Sequence, residues 1–166
     1  PGRRTGRFLV FSLLVLLLSI FTGLRDQSVG VDTSGYVLRF YQATSQGTGW
    51  PDLGWEPGIE ILFGLAAGFS DSYTSVLLLI SLLACTLYVK AIFDGSEMPW
   101  LSVLIFISLG FYVFHASASR QGIAIGFFML GLLELQRRSM LRFIVLVLIG
   151  SLFHYSVLLT IPLYFV

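Results

Sequence analysis

From Tyr73 to Phe93 the chain carries a single charged side chain, Lys90. A run of that length and apolarity is long enough to cross a bilayer as a helix. It recurs along the chain: Phe8 to Leu24, Trp100 to Ala118, Gln121 to Gln136 and Phe143 to Val166 are runs of the same kind. Barrel strands would be about ten residues long and would alternate in polarity, so strands do not explain these runs. Composition agrees: 56% of residues are hydrophobic and 11% charged, with a mean hydropathy of +0.88, against roughly a quarter charged in soluble domains. The expected fold class is all-α, a polytopic integral membrane helical bundle forming a single transmembrane domain. Approximate spans are 8–24, 73–93, 100–118, 121–136 and 143–166. The chain begins at Pro1 and stops inside an apolar run at Val166, which reads as a portion of a longer protein.

Charge sets the expected orientation. Arg3, Arg4 and Arg7 precede the first run and place the N-terminus in the cytoplasm. A cleavable signal peptide would need a small-x-small cleavage site that is not evident. The Arg3-Arg4 pair only faintly suggests a twin-arginine signal. Residues 25–57 then form an external loop, polar and rich in Gly, Ser, Thr and Asp, with Tyr36, Phe40, Tyr41, Trp50 and Trp55 among them. Ser34 to Gln42 reads as a short helix and Gly47 to Trp55 as loop. Glu56-Pro57-Gly58 opens a further helix, since proline suits a first helical turn. Its apolar part, 58–69, is too short to span and reads as a re-entrant or interfacial helix. With that segment not crossing, Arg3, Arg4, Arg7, Lys90, Arg137, Arg138 and Arg142 fall inside, and Arg25, Arg39 and Arg120 outside. If it crossed, the 137–142 cluster would face outward, against the positive-inside bias. Small residues at Gly122, Ala124, Gly126 and Gly131 suit close helix packing.

The outward arginines are exceptions to the topology rule, and Arg120 is the most informative. It lies in the polar island His115-Ala116-Ser117-Ala118-Ser119-Arg120-Gln121-Gly122 between two apolar runs. Ser119 is placed to cap the following helix, whose free N–H groups and positive dipole end favour an anion. The guanidinium adds a planar fork suited to phosphate oxygens. The bland reading is an arginine snorkelling to lipid phosphate. His154 falls well inside the fifth run, and an ionisable group there is a functional candidate by default; its bland reading is a neutral ring bonded to a neighbour. His115 reads equally well as an interfacial residue. Aromatics beside carboxylates suit a carbohydrate, although an aromatic belt at the membrane surface places the same residues there. Cys85, the lone cysteine, forms no internal disulfide and reads as a packing residue. No GxSxG, HExxH or Walker loop is present, and the scattered basic residues give no nucleic-acid signature.

The order Arg25-Asp26, Val29-Gly30-Val31-Asp32, Tyr36, Trp55-Glu56-Pro57-Gly58, Arg120-Gln121 and Phe153-His154-Tyr155-Ser156 resembles the EpsG-like family. These are membrane polymerases of exopolysaccharide and O-antigen type, similar to Wzy polymerases. The resemblance runs from about residue 10 to the end. It implies a glycosyltransferase that joins oligosaccharide repeat units carried on undecaprenyl diphosphate, at the outer face of the bacterial plasma (inner) membrane. It implies no metal and no cofactor. Arg120 would stabilise the leaving diphosphate, Arg25 would assist at the mouth of the first span, and Gln121 would bind substrate. His154, Asp32 and Glu56 are the candidates for guiding the acceptor proton. Tyr36 and the loop tryptophans, Trp55 among them, would grip sugars. The implied partners are the lipid-linked oligosaccharide, membrane lipids and a chain-length regulator or other assembly protein. Two alternatives are an O-antigen-ligase-like transferase and a non-enzymatic transporter or flippase of the same lipid-linked sugar. A transporter needs polar groups through both membrane halves, whereas the inner halves hold little beyond Glu134.

Overall fold

A computed structural model describes residues 2–45 and 54–165. Residues 46–53, Trp50 and most of the expected 47–55 loop included, lie outside the described residues. Among those described the regular structure is all helix, with no strand. In order come α1 (Gly2–Gly23), α2 (Thr33–Ser45), α3 (Pro57–Phe69), α4 (Thr74–Gly95), α5 (Pro99–Ser108), α6 (Phe111–Ser117), α7 (Ser119–Gln136) and α8 (Met140–Ser151), then a 3₁₀ segment, Tyr155–Phe165. Within α1 and α4, Thr5–Gly23 and Thr74–Gly95 are long and apolar enough to cross a membrane, and the bent pair α5–α6 makes a third if taken as one span. The fold is a helical membrane bundle.

Packing fixes how the helices run. Along α1 and α4, Gly23 faces Leu78, Ser19 reaches the Ser81 carbonyl, and Phe11 meets Phe93 edge-on. Rising numbers on one helix meet falling numbers on the other, so the pair is antiparallel. The Arg7 guanidinium closes the far end on the Phe93 carbonyl. Helix α7 lies parallel to α4: Gly126 abuts Leu87 and Leu133 abuts Gly95. The close approach depends on glycine, because a Cβ at Gly126 would stand 2.8 Å from that of Leu87. The Tyr88 hydroxyl donates to the Gly122 carbonyl at 2.6 Å across the same seam. Helix α8 returns antiparallel to α7, with Gly131 against Phe143 and Gly150 against Phe127.

Two expected spans are broken. The 100–118 run divides into α5 and α6, which meet at 54°. Gly110 causes the break: it takes φ +81°, a left-handed conformation that costs a residue with a side chain about 1–2 kcal/mol. The 143–166 run also fails to continue as one helix. Phe153 and His154 both donate to the Gly150 carbonyl, the chain turns at 152–154, and Pro162 follows within the 3₁₀ segment. His154 therefore sits on a turn, not in mid-span. The expected Ser119 cap is absent as well. Ala118 holds the N-cap position, no side chain caps α7, and the Ser119 hydroxyl accepts from Arg25 at 3.2 Å instead.

The two ends of the bundle differ. One gathers Arg7, the Lys90–Asp94 pair at 2.7 Å and Glu134, which pairs with Arg137 at 2.6 Å and Arg142 at 3.5 Å. The other gathers α2, the start of α3, the start of α7 and the turn after α8. Two backbone bonds tie it together: Asp32 N–H to the Ser117 carbonyl at 3.2 Å, and Gly58 N–H to the Leu152 carbonyl at 2.7 Å.

Candidate active site

Pro57 at the first helical position starts α3 and leaves Glu56 just outside the helix in extended geometry, φ −65° and ψ 140°. Its side chain turns inward and is 7% exposed. A lone buried carboxylate would be costly, and here both oxygens are engaged. Oε2 accepts from the Arg120 Nη1 at 2.7 Å, and Oε1 lies 3.0 Å from the His154 Nδ1. Glu56 thus bridges the first turn of α7 and the turn after α8. Burial opposes its ionisation; its backbone hydrogen bond, the Arg120 charge and the His154 and Arg120 hydrogen bonds outweigh burial and hold the carboxyl below its ordinary value of 4.5. A carboxyl lowered in this way stabilises the fold above its ordinary value, and that stabilisation fades as pH falls through the lowered one. Acid titration of thermal stability is expected to show that loss in the wild type, with a flatter curve for Glu56→Gln.

Aromatic rings pack beside this bridge. Tyr36 on α2, Trp55 before α3 and Phe63 on α3 contact one another edge-on, with centroids 5.3–6.3 Å apart. The Trp55 N–H donates to Glu60 Oε1 at 3.0 Å, which fixes the entry into α3. Two guanidinium groups lie against the Trp55 ring, Arg39 at 4.4 Å and Arg120 at 4.7 Å from its centroid. The Tyr36 hydroxyl accepts from the Arg120 backbone N–H at 3.4 Å. Burial first, then the nearby Asp32 charge, raises the Tyr36 pKa, with Arg120 acting against them; the phenol stays neutral.

The sequence candidates separate into two groups. Arg120, His154, Glu56, Tyr36 and Trp55 come together. Arg25 does not join them at the surface. It is 7% exposed and bolts three elements, donating to the Thr22 carbonyl, the Thr33 hydroxyl and the Ser119 hydroxyl. Its guanidinium is thus engaged in tying α1, α2 and α7 together. Asp32 and Gln121 are half-buried, and neither side chain bonds to Arg120 or His154. The Trp55 ring, expected to stack on sugar, is already faced by cations. His115, read as interfacial, is fully buried; its Nδ1 lies 2.6 Å from the Tyr112 carbonyl and its Nε2 3.4 Å from the Thr22 hydroxyl. Arg39 and Glu60 are the residues that sequence reasoning did not assign to the site. The spacing that could have found Arg39 is Tyr36-x-x-Arg39, one turn of a helix. Among the described residues no three His, Cys, Asp or Glu side chains are grouped to hold a metal.

Gly58 sets the spacing of the whole arrangement. A Cβ there would stand 2.7 Å from the Leu152 carbonyl oxygen and 3.0 Å from its carbon, both backbone atoms on the turn that carries His154. Gly58→Ala should push that turn from Glu56. A displacement near 1 Å costs about 10²-fold in rate, with about 1–3 kcal/mol of overpacking. Chain-length analysis beside thermal unfolding in detergent separates the two effects.

The bundle, the two spanning-length apolar helices and the bent pair make this a multi-pass membrane protein. No curated protein and no solved structure matches the chain. The model of the EpsG family matches residues 8–166, nearly its whole length, so the chain belongs to the EpsG family and carries that family's general polysaccharide-polymerase-like role.

Proposed function

We propose that this protein joins oligosaccharide repeat units carried on undecaprenyl diphosphate, at the outer face of a bacterial plasma membrane, with the N-terminus cytoplasmic. The observation that carries the reading is the Glu56 carboxylate, shared between Arg120 and His154. It couples a group suited to phosphate with a group suited to moving a proton. Arg120 pairs with the donor diphosphate and stabilises charge developing on it. The Glu56 carboxylate holds the imidazole by Nδ1–H, which leaves the Nε2 lone pair to accept a proton. The acceptor hydroxyl oxygen then attacks the anomeric carbon of the donor sugar. The bond from that carbon to the phosphate oxygen breaks, the diphosphate leaves with the electron pair, and the hydroxyl proton passes to Nε2. Configuration at the anomeric carbon inverts. No nucleotide sugar is consumed, and neither a metal nor a cofactor enters the step. The partners are the lipid-linked oligosaccharide, membrane lipids and other polysaccharide-assembly proteins.

The test is reconstitution. Full-length protein in lipid vesicles receives the lipid-diphosphate-linked repeat unit without any nucleotide sugar. Lengthened glycan and free polyprenyl diphosphate, released one per linkage, are the expected products. Transfer of single units to a foreign acceptor without lengthening would favour the ligase. Movement of the lipid-linked sugar across the bilayer with no new linkage would make it a transporter and overturn the reading.

A further inference from the structure

Arg39 and Arg120 reach Trp55 from different helices. Arg39 comes from α2, one turn beyond Tyr36; Arg120 comes from the first turn of α7. Their guanidinium carbons lie 4.4 and 4.7 Å from one ring centroid, so they are no farther apart than the sum of those distances. Like charges at that range repel. The negative face of an indole attracts each cation, and Glu56 neutralises part of the charge through Arg120. Trp55 is therefore a shared contact that offsets part of the repulsion between the two cations. The Nε–H of Arg120 is buried and has no acceptor among the described residues, although its Nη1 is bonded.

We propose that Arg39 is a second anion-binding side chain of this site, held beside Arg120 by Trp55, and that the pair takes two adjacent phosphoryl groups. The inference rests on the diphosphate-donor reading above and deepens it. A monophosphate offers one cluster of oxygens and fits one guanidinium fork. A diphosphate offers two clusters joined through one oxygen and reaches both. Arg39 thereby selects a diphosphate over a monophosphate, and it shares the charge that the leaving group acquires. The Trp55 ring is the contact that the two cations share, which keeps both within reach of one diphosphate.

The probes are inorganic diphosphate and inorganic phosphate, titrated by calorimetry into the full-length protein in detergent. Wild type is expected to favour diphosphate by at least about tenfold, a factor equal to one further charged hydrogen-bonded contact. Arg39→Gln should erase that preference and keep weak phosphate binding. Arg39→Lys, which keeps the charge without the planar fork, should fall between. Trp55→Ala should lose the preference at unchanged net charge, and Trp55→Phe should retain most of it. An unchanged diphosphate-to-phosphate ratio in Arg39→Gln overturns the assignment, as does a wild type that binds the two anions equally. The polymerase reading fails separately: a wild type with an Arg39-dependent preference that still lengthens no glycan keeps the anion pair and loses the polymerase.

Discussion

Arg120→Ala leaves a cell with single repeat units on its surface and no ladder of longer chains, at matched protein level in the membrane. The expected loss of polymerisation is about 10³-fold or more, the scale on which a positioned arginine stabilises a departing phosphate. Arg120→Lys recovers little of it, since an ammonium has neither the fork nor the flat face that lies on Trp55. The substitution also strands Glu56. Removing one partner of a fully buried pair costs about 3–5 kcal/mol; the Arg120 side chain is 27% exposed, so solvent screening brings the cost below that. The double variant Arg120→Ala, Glu56→Gln removes the stranded charge. It should restore the protein level without restoring the ladder, and that separates folding from chemistry. A full ladder from Arg120→Ala at matched level would make the residue a counter-ion for Glu56 and nothing more.

The fold class was legible because apolar runs of spanning length admit few structures. Where the runs break was harder to read. Gly110 gave a signal, yet one glycine in a membrane helix is tolerated too often to mark a bend. The turn at 152–154 has its cause elsewhere in the chain: the Leu152 carbonyl is taken by Gly58 N–H, a contact 94 residues distant that local pattern cannot show. The same holds for the site. Arg120 stood out as a charge on the wrong side of a topology. Glu56 was named as a candidate from the resemblance, but its bridge to both Arg120 and His154 was not visible, because its alignment with His154 depends on that turn. Arg25 is a related case. An outward arginine at a helix end suggests a ligand, whereas burial among Thr22, Thr33 and Ser119 shows a bolt between helices. Sequence reports where charge is unusual; the contacts decide whether it faces substrate or packing.

His154→Ala should lower the rate about 10²- to 10⁴-fold, the range for a positioned general base, while the affinity for diphosphate stays near wild type because Arg120 is untouched. The argument rests on Glu56. Bound by two donors and held in its ionised form, that carboxylate is a poor proton acceptor itself, but it is a good orienting group for the ring 3.0 Å away. Asp32 makes no bond to either Arg120 or His154, which leaves the His154 Nε2, the ring nitrogen not engaged by Glu56, as the base of this arrangement. Glu56→Gln keeps an acceptor for Nδ1–H and loses the charge that steadies the imidazolium. Its rate should fall with that of His154→Ala, and the double variant should be little worse than either single one, as for groups acting as a unit. The half-exposed ring position also admits a small molecule, so added imidazole should restore part of the His154→Ala rate and none of the Arg120→Ala rate. Additive losses in the double variant, with no rescue, would reduce His154 to a structural partner of Glu56 and leave the proton to the solvent.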